Sequence, residues 1–176
     1  MIHRANSTVQ PIDENVDHVR GSPTGRLLVE YGDYECPYSR QAYRNIQRVE
    51  SALGAGVRFA FRHYPLTDIH PHALAASAAA EAAARQGRFW EMHELLFSRQ
   101  KALEDDDLRR YAHELGLDLD VFERDRGGSA VLERIVRDVE SGDVSGEVLG
   151  TPTLFIDGVV HRGPYDTAVL LEALEA

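Results

Sequence analysis

The sequence predicts an α/β fold, in which a mixed sheet is flanked by helices on both faces and carries an inserted all-helical subdomain. Three observations support this class. A strand, a helix and a second strand follow one another from Leu27 to Tyr64, a helical block comes next, and two short strands with a last helix end the chain. Because a β-α-β unit needs a crossover connection, we expect its two strands to be parallel.

The first strand and helix are indicated by two different periodicities. Leu27 to Gly32 is a short apolar run of the kind found in buried strands. In the helix-compatible sequence that follows, up to about Leu53, apolar residues recur at i, i+4, i+7 and i+11 and so share one helix face, namely Ala42, Ile46, Val49 and Leu53. The stretch 57–64 alternates apolar and polar residues in its first half, and Pro65 ends it. A short edge strand is expected within 14–21.

The middle of the chain is predicted to be helical and its end to be mixed. Helices are expected over 72–86, 88–100, 105–115, 117–126 and 129–141, with strands over 153–156 and 159–162 and a last helix over 165–174. Asp157-Gly158 between the two strands is a strong hairpin signal. We therefore expect residues 1–14 to be an N-terminal extension and residues 15–176 to form one domain, with a helical insertion at about 67–145.

Composition and charge exclude several classes of function. The net charge of −10 opposes binding to nucleic acid or to anionic lipid. A single cysteine supports neither an internal disulfide nor a cysteine-rich metal site. The sequence contains no apolar run near the ~18 residues of a membrane span, so no membrane insertion is expected. Residues 1–21 include no apolar signal-peptide core, and we expect a cytoplasmic location.

Cys36 is the residue that most suggests chemistry. It lies between a strand and the first turn of a helix, where unpaired backbone N–H groups and the helix dipole favour a thiolate. Pro37 suits the first helical turn, and the hydroxyl of Ser39 is expected to face the same helix end. Asp33 and Glu35 place opposing negative charge nearby. The alternative is that Cys36 is a small apolar core residue.

Several segments resemble DsbA-like thioredoxin-fold thiol-disulfide oxidoreductases. They are Val29-Glu30-Tyr31-Gly32-Asp33-Tyr34-Glu35-Cys36-Pro37-Tyr38-Ser39, Phe61-Arg62-His63-Tyr64-Pro65-Leu66, His70-Pro71-His72-Ala73, Phe89-Trp90-Glu91-Met92-His93 and Gly150-Thr151-Pro152-Thr153-Leu154-Phe155-Ile156-Asp157-Gly158. These segments occur in the order of that family and cover roughly residues 15–176. The resemblance implies a thioredoxin-like fold.

The resemblance also implies roles for individual residues. Cys36 would be the nucleophile, and Thr151 and Pro152 would face it across the site with a cis peptide bond between them. Pro37 and Tyr38 would belong to the substrate-binding face. Glu30 matches a buried acid that assists proton transfer in many members, although a strand-end carboxylate in solvent is the alternative.

The chain departs from the family where the second cysteine of C-x-x-C would stand. Ser39 occupies that position, so no resolving thiol is available within the chain. What remains is monothiol exchange or isomerisation, with protein or small-molecule thiols and disulfides as partners and glutathione as a co-substrate. Ser39 is also what a trapping substitution of a C-P-Y-C parent would introduce.

Three other functions remain open alongside monothiol exchange. They are a glutathione-dependent transferase or isomerase, a redox-silent binding module and a partner of a membrane transporter, since similar domains occur fused to sodium/proton antiporters. No bound cofactor and no metal are expected, because the ordinary interpretation of His70 and His72 is helix capping. Arg62 and His63 could bind a glutathione carboxylate, but a salt bridge or loop contact is the simpler use.

Overall fold

The fold is built on a mixed five-stranded sheet. The computed structural model describes residues 9–176. The strands are β1 (His18–Gly21), β2 (Arg26–Gly32), β3 (Val57–His63), β4 (Thr153–Ile156) and β5 (Val159–Val160). Their order in the sheet is β1-β3-β2-β4-β5. As predicted, β2 and β3 are parallel, and β4 and β5 form an antiparallel hairpin. The central strand β2 also pairs antiparallel with β4, which brings the segment before β4 beside the end of β2.

Seven helices surround the sheet in the described part of the chain. They are α1 (Pro37–Leu53), α2 (Ala73–Ala84), α3 (Phe89–Ser98), α4 (Asp105–Glu114), α5 (Leu119–Arg126), α6 (Ser129–Ser145) and α7 (Thr167–Glu175). A single 3-10 turn, Gly54–Gly56, joins α1 to β3. Five of the helices, α2 to α6, occupy the chain between β3 and β4. None of the described helices is long and apolar enough to cross a membrane.

The two faces of β2 contribute to two separate cores, because successive side chains of a strand point to opposite sides. Leu28 belongs to the larger core, together with Ile46 of α1 and Leu170 of α7. Val29 and Tyr31 belong to the smaller core on the other face. Glu30, one residue further along than Val29, therefore points to the side of the sheet that α1 and α7 cover.

Element boundaries differ from the sequence expectations at α6. Its predicted end was Ser141, but the helix continues to Ser145 and is capped by Gly146 in the left-handed conformation. Gly142 lies inside the helix because of tight packing. A Cβ there would approach Tyr64 to 3.0 Å and Tyr31 to 3.2 Å. Gly142, just past the predicted helix end, thus allows a close contact between α6 and the sheet.

The segment before β1 is docked onto the domain. Of the predicted N-terminal extension, 1–14, residues 1–8 lie outside the described part of the chain. Val9 is buried and its N–H donates to the Gly158 carbonyl at 3.1 Å. The guanidinium of Arg62 donates to the carbonyls of Gln10 and Pro11 at 2.9 and 3.1 Å.

Arg62 is a structural residue that ties the docked segment to the sheet. It is fully buried, and it forms an ion pair with Asp17 at 2.9 Å. The idea that it binds a glutathione carboxylate is therefore wrong, since its guanidinium is already paired inside the protein.

Candidate active site around Cys36

Cys36 lies at the N-cap position of α1, and Pro37 follows in the first turn. The residue is only 3% exposed. Its thiol donates a hydrogen bond to the carbonyl oxygen of Thr151 at 3.3 Å. Because a thiolate has no proton to donate, the sulfur gives up this bond when it ionises, and the free N–H groups of the first helical turn then face the new charge. The sulfur is thus held between a helix N-terminus and the Thr151 backbone.

Thr151 and Pro152 form the wall opposite the cysteine. The peptide bond between them is cis, and it leads directly into β4. Thr153 pairs with Tyr31 on β2, and this register fixes the loop beside the cysteine. Two large exposed apolar residues are close in the chain to Cys36 and to Thr151. Tyr38 is 63% exposed and Leu149 is 92% exposed.

Glu30 is a buried acid beneath this site. Its residue exposure is zero, and neither carboxylate oxygen has a hydrogen-bond partner among the described residues. Desolvation raises the pKa of Glu30 to about 8, although the positive charge of Arg20 opposes the shift. The alternative of a strand-end carboxylate in solvent is therefore wrong. Glu30 pairs with Leu154 in the β2–β4 register, two residues beyond Pro152 in the chain.

The loop between β2 and α1 carries two carboxylates whose charges are partnered. Asp33 is buried and accepts hydrogen bonds from the backbone N–H of Glu35 at 2.7 Å and of Leu66 at 2.9 Å. Its other contact is Nδ1 of His70 at 2.7 Å. Glu35 contacts Nδ1 of His72 at 2.8 Å and accepts from the His72 backbone N–H at 2.6 Å. Both carboxylates expected to oppose a thiolate are therefore engaged in hydrogen bonds within the structure.

His70 and His72 do not act as the helix caps that the sequence suggested. His72 occupies the N-cap position of α2, but its side chain makes no capping hydrogen bond. Both imidazoles instead turn to the carboxylates of the Cys36 loop, 37 residues earlier in the chain. No local sequence pattern indicates this pairing, because the two segments come together only when the chain folds.

Ser39 is close to the loop but does not meet the sulfur in the expected way. It is fully buried, and its hydroxyl oxygen accepts a hydrogen bond from the Asp33 N–H at 3.2 Å. The thiol of Cys36 bonds to Thr151 instead. Ser39 thus stabilises the turn before the helix, where a resolving cysteine would stand in a C-x-x-C protein.

The family to which this site belongs is shown by comparison with known proteins. The model of the DSBA-like thioredoxin domain matches residues 27–175. The chain belongs to the DSBA-like thioredoxin domain family. Among solved structures, a thioredoxin-like oxidoreductase from Silicibacter pomeroyi DSS-3 superposes with a TM-score of 0.81 at 29% identity, covering 93% of this chain and 92% of that one. Oxidised BdbD from Bacillus subtilis has a TM-score of 0.82 at 19% identity, covering 96% and 95%, and shares the fold.

Curated relatives whose identity to this chain is higher than that of these two structures are named as sodium/proton antiporters. The chain is 46% identical over 171 residues to Na(+)/H(+) antiporter NhaA 1 of Mycolicibacterium gilvum, and covers 28% of that protein. It is 48% identical over 170 residues to Na(+)/H(+) antiporter NhaA 3 of Salinispora tropica, and covers 25% of it. In both matches at least 94% of this chain is aligned. The DSBA-like domain thus spans about a quarter of the length of these relatives.

The sequence reasoning missed one residue of the site. The side-chain amide of Gln100, just beyond α3, donates to the backbone carbonyls of Tyr34 at 2.7 Å and of Cys36 at 2.9 Å. A glutamine 64 residues from the cysteine carries no sequence motif. The one indication in the sequence is the predicted helix over 88–100, which ends at Gln100 and could return the chain to the sheet.

A second polar cluster in the DSBA-like domain contains atoms that could ligate a metal. His18, His63 and Glu81 offer ligand atoms within 4.8 Å of one another. However, both imidazole Nε2 atoms contact the same Glu81 oxygen, at 2.6 and 2.7 Å, which are hydrogen-bond lengths. A zinc ion bound at ~2.0–2.2 Å would require these atoms to move apart. His63 Nδ1 also has no partner among the described residues, whereas metal-bound histidines usually have one.

Proposed function

We propose that this DSBA-like domain catalyses thiol–disulfide exchange through Cys36 alone. The observation that carries the proposal is the position of the sulfur, at the N-terminus of α1 and 3.3 Å from the backbone oxygen of Thr151. Ser39 replaces the second cysteine, so the thiol that completes the reaction comes from outside the chain. Glutathione is our candidate for that thiol, in a compartment that keeps it reduced.

The proposed reaction consists of two exchanges that balance in atoms and electrons. The Cys36 thiolate attacks one sulfur of a substrate disulfide, a bond from Cys36 to that sulfur forms, and the other half leaves as a thiolate. A glutathione thiolate then attacks the substrate sulfur of the mixed disulfide. Cys36 leaves as a thiolate, and the substrate half remains joined to glutathione. In isomerisation, a second thiol of the substrate itself performs this last attack.

Glu30 is the proposed proton acceptor for the Cys36 thiol. Its carboxyl is buried and unpartnered, and a pKa of about 8 allows it to hold or release a proton near neutral pH. It points to the face of the sheet that α1 covers, and it belongs to the strand beside the Thr151–Pro152 segment. In its ionised form, this carboxyl group can take the thiol proton, which would otherwise remain on the sulfur and block attack.

The surroundings of the sulfur favour protein substrates over small ones. Tyr38, in the first turn of α1, and Leu149, two residues before Thr151 in the chain, are large exposed apolar residues. Burying them against an extended peptide would contribute roughly 25 cal/mol per Å² of apolar area. The cis Thr151–Pro152 segment offers backbone groups with which such a peptide could pair. We therefore propose that Pro37, Tyr38, Thr151 and Pro152 contact the substrate.

The test is a coupled assay in which the chain reduces hydroxyethyl disulfide at the expense of glutathione. We expect turnover above background for the native chain and none for Cys36→Ser. Intact-mass spectrometry after oxidised glutathione should show one adduct, which reduced glutathione removes. Ser39→Cys should lose the adduct without added thiol, because the new cysteine resolves it internally. Glutathione binding without an adduct would instead indicate a transferase, and no response at all a redox-silent module.

We also propose that the domain works beside a sodium/proton antiporter. The relatives that are 46–48% identical over nearly the whole chain bear that name, whereas the thioredoxin-like oxidoreductase from S. pomeroyi is 29% identical. The test is retention of the purified chain by the detergent-solubilised M. gilvum relative from which its own matching segment has been deleted. The excised segment serves as the positive control and BdbD as the negative control. Equal retention of this chain and BdbD would contradict the proposal.

A further inference from the structure

The loop that carries the cysteine is held from outside by the helical insertion. Each of its four residues receives a contact from one side chain between β3 and the start of α4. The pairs are Asp33 with His70, Tyr34 with His93, Glu35 with His72, and Cys36 with Gln100. The position of the sulfur therefore depends on helices that are far away in the chain, and not only on the strand and helix that flank the loop.

The contact of His72 with Glu35 differs from the others in its charge. Nδ1 of His72 lies 2.8 Å from Glu35, and Nε2 lies 3.0 Å from Glu104 at the start of α4. Both ring nitrogens face carboxylate oxygens, which only accept hydrogen bonds, so both must carry a proton. This geometry describes an imidazolium between two carboxylates. The hydrogen bond to Glu35 is also the main reason that the pKa of His72 is raised.

The Glu35 side of this bridge is the stronger one. The side chain of Glu35 is 20% exposed, whereas that of Glu104 is 75% exposed and so is well screened by water. Glu35 also accepts the backbone N–H of His72 at 2.6 Å. The positive charge of His72 is thus directed mainly at the carboxylate next to Cys36 in the chain.

An uncompensated carboxylate at Glu35 would oppose ionisation of the thiol of the next residue, because nearby like charges disfavour each other. Among the described residues, no cation other than His72 forms an ion pair with Glu35. The nearby acids have other partners: Asp33 contacts His70, and Asp107 accepts a hydrogen bond from the backbone N–H of Glu104. Neutralisation of Glu35 therefore depends on His72 in the described structure.

We propose that His72 is a positioning residue for the reaction of Cys36, in which its imidazolium neutralises Glu35 and fixes it beside the loop, so that this carboxylate does not oppose ionisation of the sulfur. The inference rests on the proposed function of Cys36 as a nucleophile. It adds that the thiolate is controlled by a histidine of the helical insertion, outside the strand, loop and helix that carry the C-P-Y-S motif.

The experiment measures the rate of Cys36 alkylation by iodoacetamide, an uncharged reagent, as a function of pH. His72→Asn keeps an N–H donor near the position of Nδ1 but removes the positive charge. We expect the midpoint of the rate curve to rise by about one pH unit, which is a tenfold lower rate below the midpoint. His113→Asn, at an exposed histidine of α4, is the matched control and should leave the curve unchanged.

A second variant separates charge compensation from a merely structural effect. If His72 acts by neutralising Glu35, then Glu35→Gln combined with His72→Asn should return the midpoint to the native value, since no carboxylate remains to be neutralised. An unchanged midpoint in His72→Asn would overturn the proposal, and so would a shift that persists in the double variant. Alkylation needs no disulfide substrate. A chain that fails the glutathione-coupled assay but shows the shift and its rescue would refute the proposed function and support this inference.

Discussion

Glu30 is a buried carboxyl group whose ionisation opposes folding. Its folded pKa of about 8 lies above the ordinary 4.5, so the folded protein keeps a proton that the unfolded chain has lost. Between these two pH values the free energy of unfolding falls as pH rises, by on the order of 1.4 kcal/mol per unit. We expect Glu30→Gln to remove this slope, so that its Tm exceeds that of the native chain increasingly from pH 5 to pH 8.

The matched control for this measurement is Glu133→Gln, at an exposed glutamate of α6. Its Tm should follow the native curve over the same pH range, because a solvated carboxylate changes little on folding. Parallel curves for Glu30→Gln and the native protein would show that Glu30 is ionised in the fold, and the role proposed for it in proton transfer would then lose its basis.

Gly32, at the end of β2, leaves room for this carboxyl group. A Cβ there would lie 2.5 Å from the Phe61 ring and 2.9 Å from Glu30 Oε1. We expect Gly32→Ala to lower the free energy of unfolding by about 1–3 kcal/mol through overpacking, measured by urea denaturation. A Cβ at Gly150 would meet nothing within 4 Å, so Gly150→Ala should be nearly neutral. Equal losses in both variants would contradict this explanation.

Among the elements, β1 is an edge strand held by buried charges. Asp17, immediately before it, is paired with Arg62 and Arg137, and hydrogen bonds from them keep its pKa well below the usual range despite burial. Removing the carboxylate leaves the buried Arg62 guanidinium without its ion-pair partner, so Asp17→Asn should destabilise the protein by about 3–5 kcal/mol in urea. Amides of β1 should lose the most hydrogen-exchange protection.

Glu14→Gln provides the control for that element. Glu14 also pairs with an arginine, Arg58 of β3, but its side chain is 69% exposed. Such surface pairs contribute about 0–1 kcal/mol, so this variant should remain close to the native protein. If the two substitutions cost the same, burial of the Asp17 pair would not be what holds β1 in place.

The elements themselves were largely predictable, because their signals are local. Each element is specified within a few residues, by the apolar run before Gly32, the helical face around Ile46 or the Asp157-Gly158 turn. The structure contains each of these elements at its predicted position. The position of Cys36 at the start of α1 follows from the same signals.

The contacts that complete the site were not predictable from local patterns. Glu35 meets His72 across 37 residues, and Gln100 meets the Cys36 carbonyl across 64. Such contacts depend on how the helical insertion folds back on the sheet, which periodicity does not encode. The same holds for Glu30, since its burial is set by the elements that cover the central strand and not by its neighbours in sequence.

At the scale of the whole molecule, the net charge of −10 should influence which disulfides reach Cys36. Tyr38, two residues after Cys36, and Leu149, two residues before Thr151, carry no charge that would mask this field. We expect the second-order rate of adduct formation with oxidised glutathione, an anion, to rise as salt increases from about 10 mM to about 0.2 M. With cystamine, a cationic disulfide, the rate should fall over the same range, by roughly two- to fivefold. The rate with uncharged hydroxyethyl disulfide should not change with salt. Identical salt dependence for all three disulfides would mean that the net charge of the domain does not affect the reaction at Cys36.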